Sequence, residues 1–580
     1  MAGSSTDLDS IIKRRGFLWR SFDIYGGSAG FYDYGPLGAE LKNRILSVWR
    51  KYFVLREGFA EIDTPNLTPH EVFRASGHLD KFNDVILECA NCSSLFKADN
   101  LFAAHYSEIA SEMTIDGMDT ESLDKVVLER KVTCPDCEGT FKPSYEFNLM
   151  FKTTVGRDKI AYLHPETAQG IFVNFQNLYG FFREKLPFGA VTVGKGFRNE
   201  ISPRQGLIRL REFNMAEAEV FIDPASEEYP NFHNIKNTGF TLHDQHGAVH
   251  MATASEALED GLICNKALAY YMAVTQDFLH EVGVDPERMR FRQHQIDEMA
   301  HYAEDCWDAE ILMEIHGKET WIECVGIANR SCYDLEQHMK ATGQDLRAFR
   351  KYDEPIEREI MRVQPNLPAL GKAFRKDSSV IREQLELLTP PFSEPIIVQL
   401  HGADTEVSPD MYTIENVTEK VSGERYIPTV IEPSFGVDRI LYAVLQHSYQ
   451  QGKQRESVDS ESYSILRLKP SIAPIQVAVF PLFNKPEMAS FAHEINQNLV
   501  AQGMKTILDT SGSIGKRYAR MDEIGTPFCI TVDHRSVEDG TITIRDRDST
   551  IQYRIGTEDV GNTLKSLLSD PDSITQFPET

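Results

Sequence analysis

The sequence predicts an α+β protein that ends in a smaller α/β domain. A helix pattern is followed by a strand over residues 37–63, two strands flank a charged loop over 188–222, and strands alternate with helices after residue 466. At roughly 150 residues per domain, a chain of 580 residues corresponds to three or four domains.

Residues 37–55 are predicted to form an amphipathic helix. Pro36 suits the first turn of this helix, and Gly58 ends it. Residues 59–63 then alternate like a strand, which Pro65 closes because proline has no N–H for a sheet ladder. The apolar positions of the helix are Leu41, Ile45, Val48, Tyr52 and Leu55.

The middle of the chain contains two segments that we interpret as insertions. Residues 224–310 are polar and partly helical, and residues 335–390 are charged and weakly structured. Further strands are expected over 321–326, 396–400 and 430–436, and the last of these leads into a helix at 439.

The C-terminal region is predicted to form an α/β domain with a mostly parallel sheet, because strands and helices alternate along it. Strands are expected over 476–480, 505–509, 528–532 and 541–545. Helices are expected over 486–501, from about 513, and over 557–568.

The charge of the chain is strongly acidic. It has 60 Lys and Arg residues against 87 Asp and Glu residues, a net charge of −27. This balance argues against a nucleic-acid coat protein, since phosphate binding needs cations. The region from 467 to 580 is close to neutral, with 12 basic and 15 acidic residues, and could bind RNA through a local patch.

Targeting signals are not apparent in the sequence. No run of eighteen apolar residues could span a membrane, and the first residues are polar and lack the apolar core of a signal peptide. We therefore expect a cytoplasmic protein that needs no membrane. Nine cysteines, an odd number in such a chain, indicate reduced thiols.

Four of the cysteines form two Cys-x2-Cys pairs. Two such knuckles can direct four thiolates at one tetrahedral zinc ion, with no position left open for water. A structural zinc site is therefore predicted; four unrelated buried cysteines and a redox pair are the alternatives. The ligands would be Cys89, Cys92, Cys134 and Cys137.

Residues 196–219 place many arginines beside glutamates. An arginine fork matches a phosphate, and Phe213 could stack on a flat base. The alternative is a lattice of surface ion pairs. Residues 432–439 combine a strand end, Gly436 and Arg439 at a helix start, which suits a triphosphate or a nucleobase. A helix-capping Asp–Arg pair is the alternative there.

These segments resemble the three signatures of class II aminoacyl-tRNA synthetases. The 37–65 segment resembles motif 1, the dimer element; Phe197-Arg-Asn-Glu with Arg209-x3-Phe213 resembles motif 2; and Gly436-Val-Asp-Arg439 resembles motif 3. Within that class the chain resembles homodimeric glycyl-tRNA synthetases of the archaeal or eukaryote-like branch. The segments that carry this resemblance begin at Ile24, Arg74, Pro165, Asn329 and Glu432.

The resemblance implies an antiparallel-sheet class II catalytic domain over 1–465 and an anticodon-binding domain over 466–580. It divides the first domain into motif 1 at about 37–65, a zinc-knuckle insertion at about 86–145, motif 2 at about 194–220, insertions at about 224–310 and 335–390, and motif 3 at about 430–445. It also implies a glycine--tRNA ligase, which forms glycyl-adenylate from glycine and ATP and then transfers glycine to the 3′ end of tRNA(Gly).

The resemblance also implies which residues bind ATP. Arg198, Glu200 and Arg439 are expected to act in catalysis: Arg198 on the α-phosphate, Glu200 on the adenine amino group or on that arginine, and Arg439 on the far phosphates. Arg209 would reach the γ-phosphate, Phe213 would stack on adenine, and Glu323 would hold Mg²⁺. The expected ATP site is Arg198, Asn199, Glu200, Ile208, Arg209, Phe213, Glu323, Cys324, Gly436 and Arg439.

Glycine has no side chain to grip, and a single methyl group gives only about 1–3 kcal/mol of discrimination. The resemblance implies that a cage of acids holds its ammonium group and that Arg330 pairs with its carboxylate, with some carboxyl pKa values raised by burial. Lys97 stands where the family usually has an arginine, and as a point charge it is not equivalent to a fork. The expected glycine-binding residues are Lys97, Glu166, Glu217, Arg330, Glu432 and Ser434.

In the C-terminal domain, basic residues at strand and helix edges are expected to contact the tRNA, where unpaired anticodon bases can be stacked and read. They are Lys516, Arg517, Arg520, Arg545 and Arg547. A seryl, threonyl or prolyl enzyme and a non-catalytic synthetase-like binding protein are the competing interpretations of the whole chain.

Overall fold

The computed structural model of the chain describes residues 5–113, 115, 117–201, 203, 206–295, 298–300, 302–388, 395–451 and 464–580. The chain forms two compact units, Met1–Leu346 with Pro428–Thr580, and Arg347–Ile427.

A nine-stranded sheet dominates the larger unit. Its order is β5-β4-β6-β7-β8-β9-β3-β2-β1, and its neighbours are antiparallel except for the pairs β1–β2 and β4–β6. The expectation of an antiparallel sheet is therefore confirmed for the centre of the unit. In chain order the strands are β1 (Ala60–Glu61), β2 (Phe188–Phe197), β3 (Glu212–Ile222), β4 (Gly239–His243), β5 (Val249–Thr253), β6 (Met289–Gln293), β7 (Asp305–Ile315), β8 (Lys318–Asn329) and β9 (Thr429–Gly436).

Helices cover one face of this sheet. The helices are α1 (Pro36–Arg50), which continues as a π-helical turn over Lys51–Arg56, α2 (Lys266–Glu281) and α3 (Val437–Ser448). The ring of Phe435 in β9 lies 5.8 Å from Trp49 of α1 and 5.4 Å from Phe278 of α2. Because side chains alternate along a strand, Ser434 and Glu432 project from the opposite face.

The structure differs from the sequence-based expectation over 224–310. That segment supplies β4, β5 and β6, the start of β7, and helix α2, most of whose residues are buried. It is therefore an integral part of the large sheet and its core. Its polar composition was misleading because short edge strands expose one face to solvent.

The smaller unit corrects a second expectation. Residues 335–390 were expected to be weakly structured, yet their part of the smaller unit contains two helices and a long strand that pairs with Tyr412–Tyr426. Ile381 and Leu385 are fully buried in this unit's own core. The elements of the unit are Ala348–Pro365, Leu367–Phe374, Ser378–Leu387, Ile396–Leu400, Ala403–Val407 and Tyr412–Tyr426.

The C-terminal region folds into a five-stranded sheet with the order β11-β10-β12-β13-β14. The first three strands of this order are parallel and the last two pair antiparallel, so the sheet is mixed and not mostly parallel. The elements are β10 (Val477–Pro481), α4 (Pro486–Ala501), β11 (Thr506–Leu508), α5 (Ile514–Glu523), β12 (Phe528–Val532), β13 (Thr541–Asp546), β14 (Gln552–Gly556) and α6 (Val560–Ser569).

Shorter elements complete the described part of the chain. The remaining strands are Leu18–Arg20, Tyr32–Tyr34, Leu67–Pro69, Asn83–Glu88, Leu95–Lys97, Tyr145–Asn148, Lys152–Val155, Lys159–Leu163, Tyr449–Gln451 and Ser464–Leu466. The remaining helices are Ser5–Arg14, His70–Ala75, His78–Lys81, Ala98–His105, Ser107–Glu112, Thr120–Glu129, Ala168–Phe172, Phe175–Phe181, Phe232–Ile235, Ala254–Glu259, Tyr333–Thr342 and His534–Asp539. Among the described helices, none combines the length and apolar character that a membrane span requires.

Candidate functional site

A cavity opens on the sheet face opposite the helices, between β3, β8 and β9. It brings together segments that are far apart in the sequence: the loop between β2 and β3, the middle of β8, and the junction of β9 with α3. Of the residues expected to bind ATP, those that line it are Arg198, Glu200, Ile208, Arg209, Phe213, Glu323, Cys324, Gly436 and Arg439. Asn199 is not among the lining residues; its backbone N–H donates to the carbonyl of Leu149, at 2.6 Å.

Arg198 is held between two aromatic rings. Its guanidinium carbon lies 5.3 Å from the centroid of Phe82 and 5.3 Å from that of Phe213. Gly196, which faces Phe213 across the strand pair, leaves space for that ring, since a Cβ at Gly196 would lie 2.5 Å from it. Cation–π contacts with two rings restrict the guanidinium group.

Glu200 and Arg209 face each other at the mouth of the cavity. The Arg209 Nε and Glu200 Oε2 atoms are 3.8 Å apart, a loose ion pair that a ligand can separate. The backbone carbonyl of Glu200 accepts two hydrogen bonds from Arg211, at 3.0 and 2.8 Å. Burial raises the pKa of Glu200, although Arg209 acts to lower it.

Arg439 approaches the cavity from the side opposite Arg198. Its Nε donates to the carbonyl of Ile208 at 3.0 Å, and its Nη1 donates to the carbonyl of Glu323 at 2.6 Å and lies 3.2 Å from the Glu323 carboxylate. Desolvation alone would raise the pKa of Glu323, but Arg439 and Arg198 hold it below the ordinary value. Gly436 packs closely, since a Cβ there would lie 3.3 Å from the carbonyl oxygen of Cys324.

An acidic cage, formed by Glu166, Glu217, Glu219 and Glu432, adjoins this cavity at Ser434. Glu217 of β3 and Ser434 of β9 are directly opposite in the register, and the Ser434 hydroxyl donates to Glu217 Oε1 at 2.6 Å. The other Glu217 oxygen accepts the backbone N–H of Thr167 at 2.6 Å and also the Thr167 hydroxyl. Ser434 lines the cavity, so the acidic cage and the cavity meet at this residue.

Arg330 is completely buried behind this cage. Its Nε and Nη2 form a fork with Asp334, at 2.9 and 3.1 Å, and its Nη1 donates to Glu432 at 2.9 Å. Its Nη2 also lies 3.6 Å from Glu166. The protein's own carboxylates occupy the donors of Arg330, which argues against its pairing with the substrate carboxylate.

The cage contains more acids than bases. Burial and the neighbouring Glu166 raise the pKa of Glu217, and burial raises the pKa of Glu432 to about 8 in spite of Arg330. Glu219, two residues beyond Glu217 on β3, is completely buried, and its pKa is raised well above the ordinary value by burial and by Glu432. The cage therefore favours the binding of a cation, which would compensate its excess of acidic groups.

Lys97 is committed to other partners. Lys97 ends the strand Leu95–Lys97, and its Nζ lies 3.1 Å from Asp84 and 2.9 Å from Asp99. A point charge that is already neutralised by two carboxylates is poorly suited to grip a substrate carboxylate.

A larger cavity, of about 990 Å³, lies at the other end of strands β8 and β9, beside Asn329 and Thr429. Its lining includes Asp223, Glu227, Glu228 and Glu304. Acidic walls repel a triphosphate, so the smaller cavity between Arg198 and Arg439 is the better candidate for a nucleotide site.

Comparison with known proteins decides between the competing interpretations. Residues 151–448 match the family described as the tRNA synthetase class II core domain (G, H, P, S and T), and residues 476–567 match the anticodon binding domain family. The glycine--tRNA ligase of Methanothrix thermoacetophila is 47% identical over 567 residues, with 96% of each chain covered.

Two further relatives agree. The glycine--tRNA ligase of Archaeoglobus fulgidus is 47% identical over 99% of both chains, and that of Methanothermobacter thermautotrophicus is 45% identical over 96% of this chain and 98% of its own. The chain belongs to the glycine--tRNA ligase family. The resemblance inferred from the sequence motifs, and the fold class that it implied, are confirmed.

The four cysteines of this glycine--tRNA ligase family member lie together. The Cys89 and Cys137 sulfurs are 3.4 Å apart, the Cys92 and Cys134 sulfurs are 3.7 Å apart, and all four lie within 4.8 Å of one another. Tetrahedral thiolates on a zinc ion at 2.3 Å would be separated by roughly 3.8 Å. The donor set and its spacing therefore fit a metal of this kind.

The basic residues expected to contact tRNA divide into two groups. Arg517, Arg545 and Arg547 are buried, with 4%, 2% and 2% exposure. Arg545 forms a fork with Asp522 at 2.8 and 3.0 Å, and Arg517 and Arg547 donate to backbone carbonyls. Burial and these internal partners argue against direct RNA contact by these three arginines. Lys516 is exposed, and Arg520 is partly exposed beside Asp509.

Several residues of the cage were not foreseen. Thr167, Asp334, Glu219 and His78 have direct contacts with the cage residues or lie beside them. Thr167, Asp334 and His78 belong to segments that carry the family resemblance, which was the available signal. Glu219 follows Glu217 at the spacing of one strand face, so period-two alternation could have identified it.

Proposed function

We propose that the cavity between Arg198 and Arg439 activates glycine with ATP, and that the protein transfers the glycyl group to the 3′ end of a tRNA for glycine. The chain is an aminoacyl-tRNA ligase by family. The observation that supports this site best is that Arg198, Glu200, Glu323 and Arg439 line a single cavity that ends at Ser434 of the acidic cage. A non-catalytic relative would have no need to keep this set together.

In the first step, a carboxylate oxygen of glycine attacks the α-phosphorus of ATP, and the bond to the departing pyrophosphate breaks. Arg198 neutralises the charge that grows on the α-phosphate oxygens. Its guanidinium group is already restricted by contacts with Phe82 and Phe213, so little reorganisation is needed in the transition state. The proposed contribution of the protein is position and charge, without a covalent enzyme intermediate.

Arg439 acts on the far phosphates from the opposite side of the cavity. Glu323 shares a hydrogen bond with Arg439, and its carboxylate remains half-exposed toward the cavity. An ionised carboxylate in this place suits Mg²⁺, which prefers one or two carboxylates together with phosphate oxygens. Bound there, Mg²⁺ would neutralise phosphate charge.

The ammonium group of glycine is captured by the acidic cage. Ser434 and Thr167 hold Glu217 in one orientation, and Arg330 holds Glu432 in another. We assign Glu166, Glu217, Glu432 and Ser434 to ammonium binding, and Arg330 to orienting the carboxylates. In the second step a terminal ribose hydroxyl of tRNA attacks the glycyl carbonyl carbon, and AMP leaves.

Glycine-dependent exchange of pyrophosphate into ATP tests this function directly. We expect exchange with glycine and roughly 10- to 200-fold less with alanine or serine, because a pocket built for glycine has to exclude a side chain at Cα. Equal exchange with alanine, or exchange without an amino acid, would remove the glycine assignment.

The cysteine cluster is proposed to hold a structural zinc ion. Metal analysis of the purified protein should give one zinc per chain, and Cys89→Ser should lose it. Cys529→Ser, which changes a buried cysteine of the C-terminal sheet, is the matched control and should keep the metal. Unchanged zinc content in Cys89→Ser would contradict the proposal.

A homodimer is proposed through α1 and its neighbours, the elements that resemble motif 1. Large apolar side chains are exposed near the end of α1 and on a nearby helix: Leu55 is 78% exposed and Phe181 is 72% exposed. Light scattering should give a molar mass of two chains for the parent protein. The double variant Leu55→Asp, Phe181→Asp should have the mass of a single chain. A monomeric parent protein would contradict this assignment.

A further inference from the structure

A buried polar pair lies behind the acidic cage and has no role in the reaction described above. Ser76 and His78 belong to the Arg74-Ala-Ser-Gly-His segment, which is one of those that carry the family resemblance. The Ser76 Oγ and His78 Nδ1 atoms are 2.8 Å apart, and the two residues are 1% and 4% exposed. Gly77, with φ of 85°, reverses the chain between two short helices so that these two side chains can meet.

His78 contacts the cage on its other side. Its Nε2 lies 3.3 Å from Glu166 Oε1. The rings of Phe73 and Phe82 flank the imidazole, with centroids at 5.5 and 5.8 Å, and restrict its rotation. Because Glu166 can only accept when ionised, Nε2 must carry the proton that points at it.

The contacts of Glu166 converge on one of its two oxygens. Besides His78, Gln169 Nε2 at 3.3 Å and Arg330 Nη2 at 3.6 Å both approach Oε1. No polar contact with a described residue reaches Oε2. A carboxylate held on one side by three donors presents its second oxygen in a fixed direction, which is what the capture of a small ammonium ion requires.

We propose that His78, supported by Ser76, is a positioning residue for the amino group of glycine and acts through Glu166. This inference rests on the proposed function, since it assigns a role within glycine capture. Burial alone would raise the pKa of Glu166, but His78 and Arg330 together hold it well below its usual range. Removal of the imidazole therefore leaves the carboxylate less restrained, with only Gln169 and Arg330 on Oε1.

His338 provides a matched control for the effect of burial alone. It is also 4% exposed, and its Nε2 contacts Gln169 Oε1 at 3.0 Å, one residue removed from Glu166. A change at His338 disturbs a buried imidazole in the same network without touching Glu166. The two histidines therefore separate loss of packing from loss of carboxylate positioning.

The experiment measures pyrophosphate exchange in the full-length protein with His78→Ala, His78→Gln, Ser76→Ala and His338→Gln. For His78→Ala we expect KM for glycine to rise about 10- to 100-fold, with KM for ATP within twofold of the parent. His78→Gln keeps an amide donor and should recover most of the loss. Ser76→Ala should raise KM for glycine about three- to tenfold, and His338→Gln less than twofold.

Two results would overturn the inference: equal increases in KM for glycine and ATP in the His78 variants, or the same glycine defect in His338→Gln. If His78→Ala does not fold, His78→Gln and Ser76→Ala decide the question, because both keep the volume of the site nearly intact. Wild-type protein without glycine-dependent exchange would instead overturn the proposed function. Normal wild-type exchange with unchanged KM for glycine in every variant would overturn only the role of His78.

Discussion

The Ser434 hydroxyl donates a 2.6 Å hydrogen bond to Glu217 across two central strands, and this bond joins the cavity to the acidic cage. The bond is partly buried and ends on a carboxylate that also binds Thr167. Together these two contacts fix the orientation of the Glu217 carboxylate.

Ser434→Ala removes this bond and leaves the Glu217 oxygen without a partner. A hydrogen bond to a charged group contributes roughly 1.5–3 kcal/mol, so kcat/KM for glycine should fall about 10- to 100-fold. Steady-state pyrophosphate exchange measures it. Ser448→Ala, which removes a buried hydroxyl bonded only to the carbonyl of Val444, is the control and should leave kcat/KM within twofold. Equal losses in both variants would mean that the effect is structural.

Arg198→Ala should reduce kcat for exchange by roughly 100- to 1,000-fold, the cost of losing one preorganised donor at a developing anion. Arg198→Lys should recover little, because an ammonium group cannot replace a fork held between two rings. Arg14→Ala, at an exposed ion pair with Glu523, is the surface control. Substantial exchange in Arg198→Ala would remove this residue from its assigned role.

Variants at Lys516 and Arg545 should distinguish an effect on RNA binding from an effect on stability. Lys516→Glu should raise KM for tRNA in aminoacylation with an unchanged melting temperature, since the side chain is exposed. Arg545→Ala leaves Asp522 buried and unpaired and should cost roughly 3–5 kcal/mol of unfolding free energy. Chemical denaturation and tRNA titration measure the two effects. A stable Arg545→Ala protein with weak tRNA binding would restore Arg545 to the RNA surface.

Glu219→Gln should stabilise the protein at alkaline pH. The pKa of Glu219 is raised in the folded state by burial and by Glu432, so its contribution to stability is fully present below the unfolded pKa and declines as pH rises. Both its oxygens lack a hydrogen-bond partner among the described residues. Glutamine removes the titration, and we expect a gain of roughly 1–3 kcal/mol at pH 8 and little change at pH 4. A uniform shift at every pH would exclude this cause.

Much of the fold could be predicted from periodicity. The helix over 486–501 was placed at its observed bounds, and the strand pair around the charged loop over 188–222 is present as β2 and β3. Prediction from periodicity failed for the segment over 224–310, because α2 is apolar on nearly every side and its flanking strands are short and polar. Amphipathic patterns identify elements at a surface better than elements buried on all sides.

For the site, the sequence predicted which residues come together more reliably than what each one contacts. Arg198, Glu323 and Arg439 do line one cavity. Arg330 and Arg545, in contrast, are bound by acids that are distant in sequence but in direct contact in the fold, Glu432 and Asp522. Whether an arginine is free for a ligand depends on these partners, which motif comparison does not show.

The pairing of Glu217 with Ser434 also constrains how this protein can change. Side chains on a strand alternate between faces, so inserting or deleting one residue within β9 would exchange Ser434 with Phe435. The phenyl ring would then enter the acidic cage proposed to bind glycine. The serine hydroxyl would take the place of that ring in the aromatic packing with Trp49. Lineages can accept new lengths in the loops at the strand ends, but within these two strands only replacements of one residue by another preserve the enzyme.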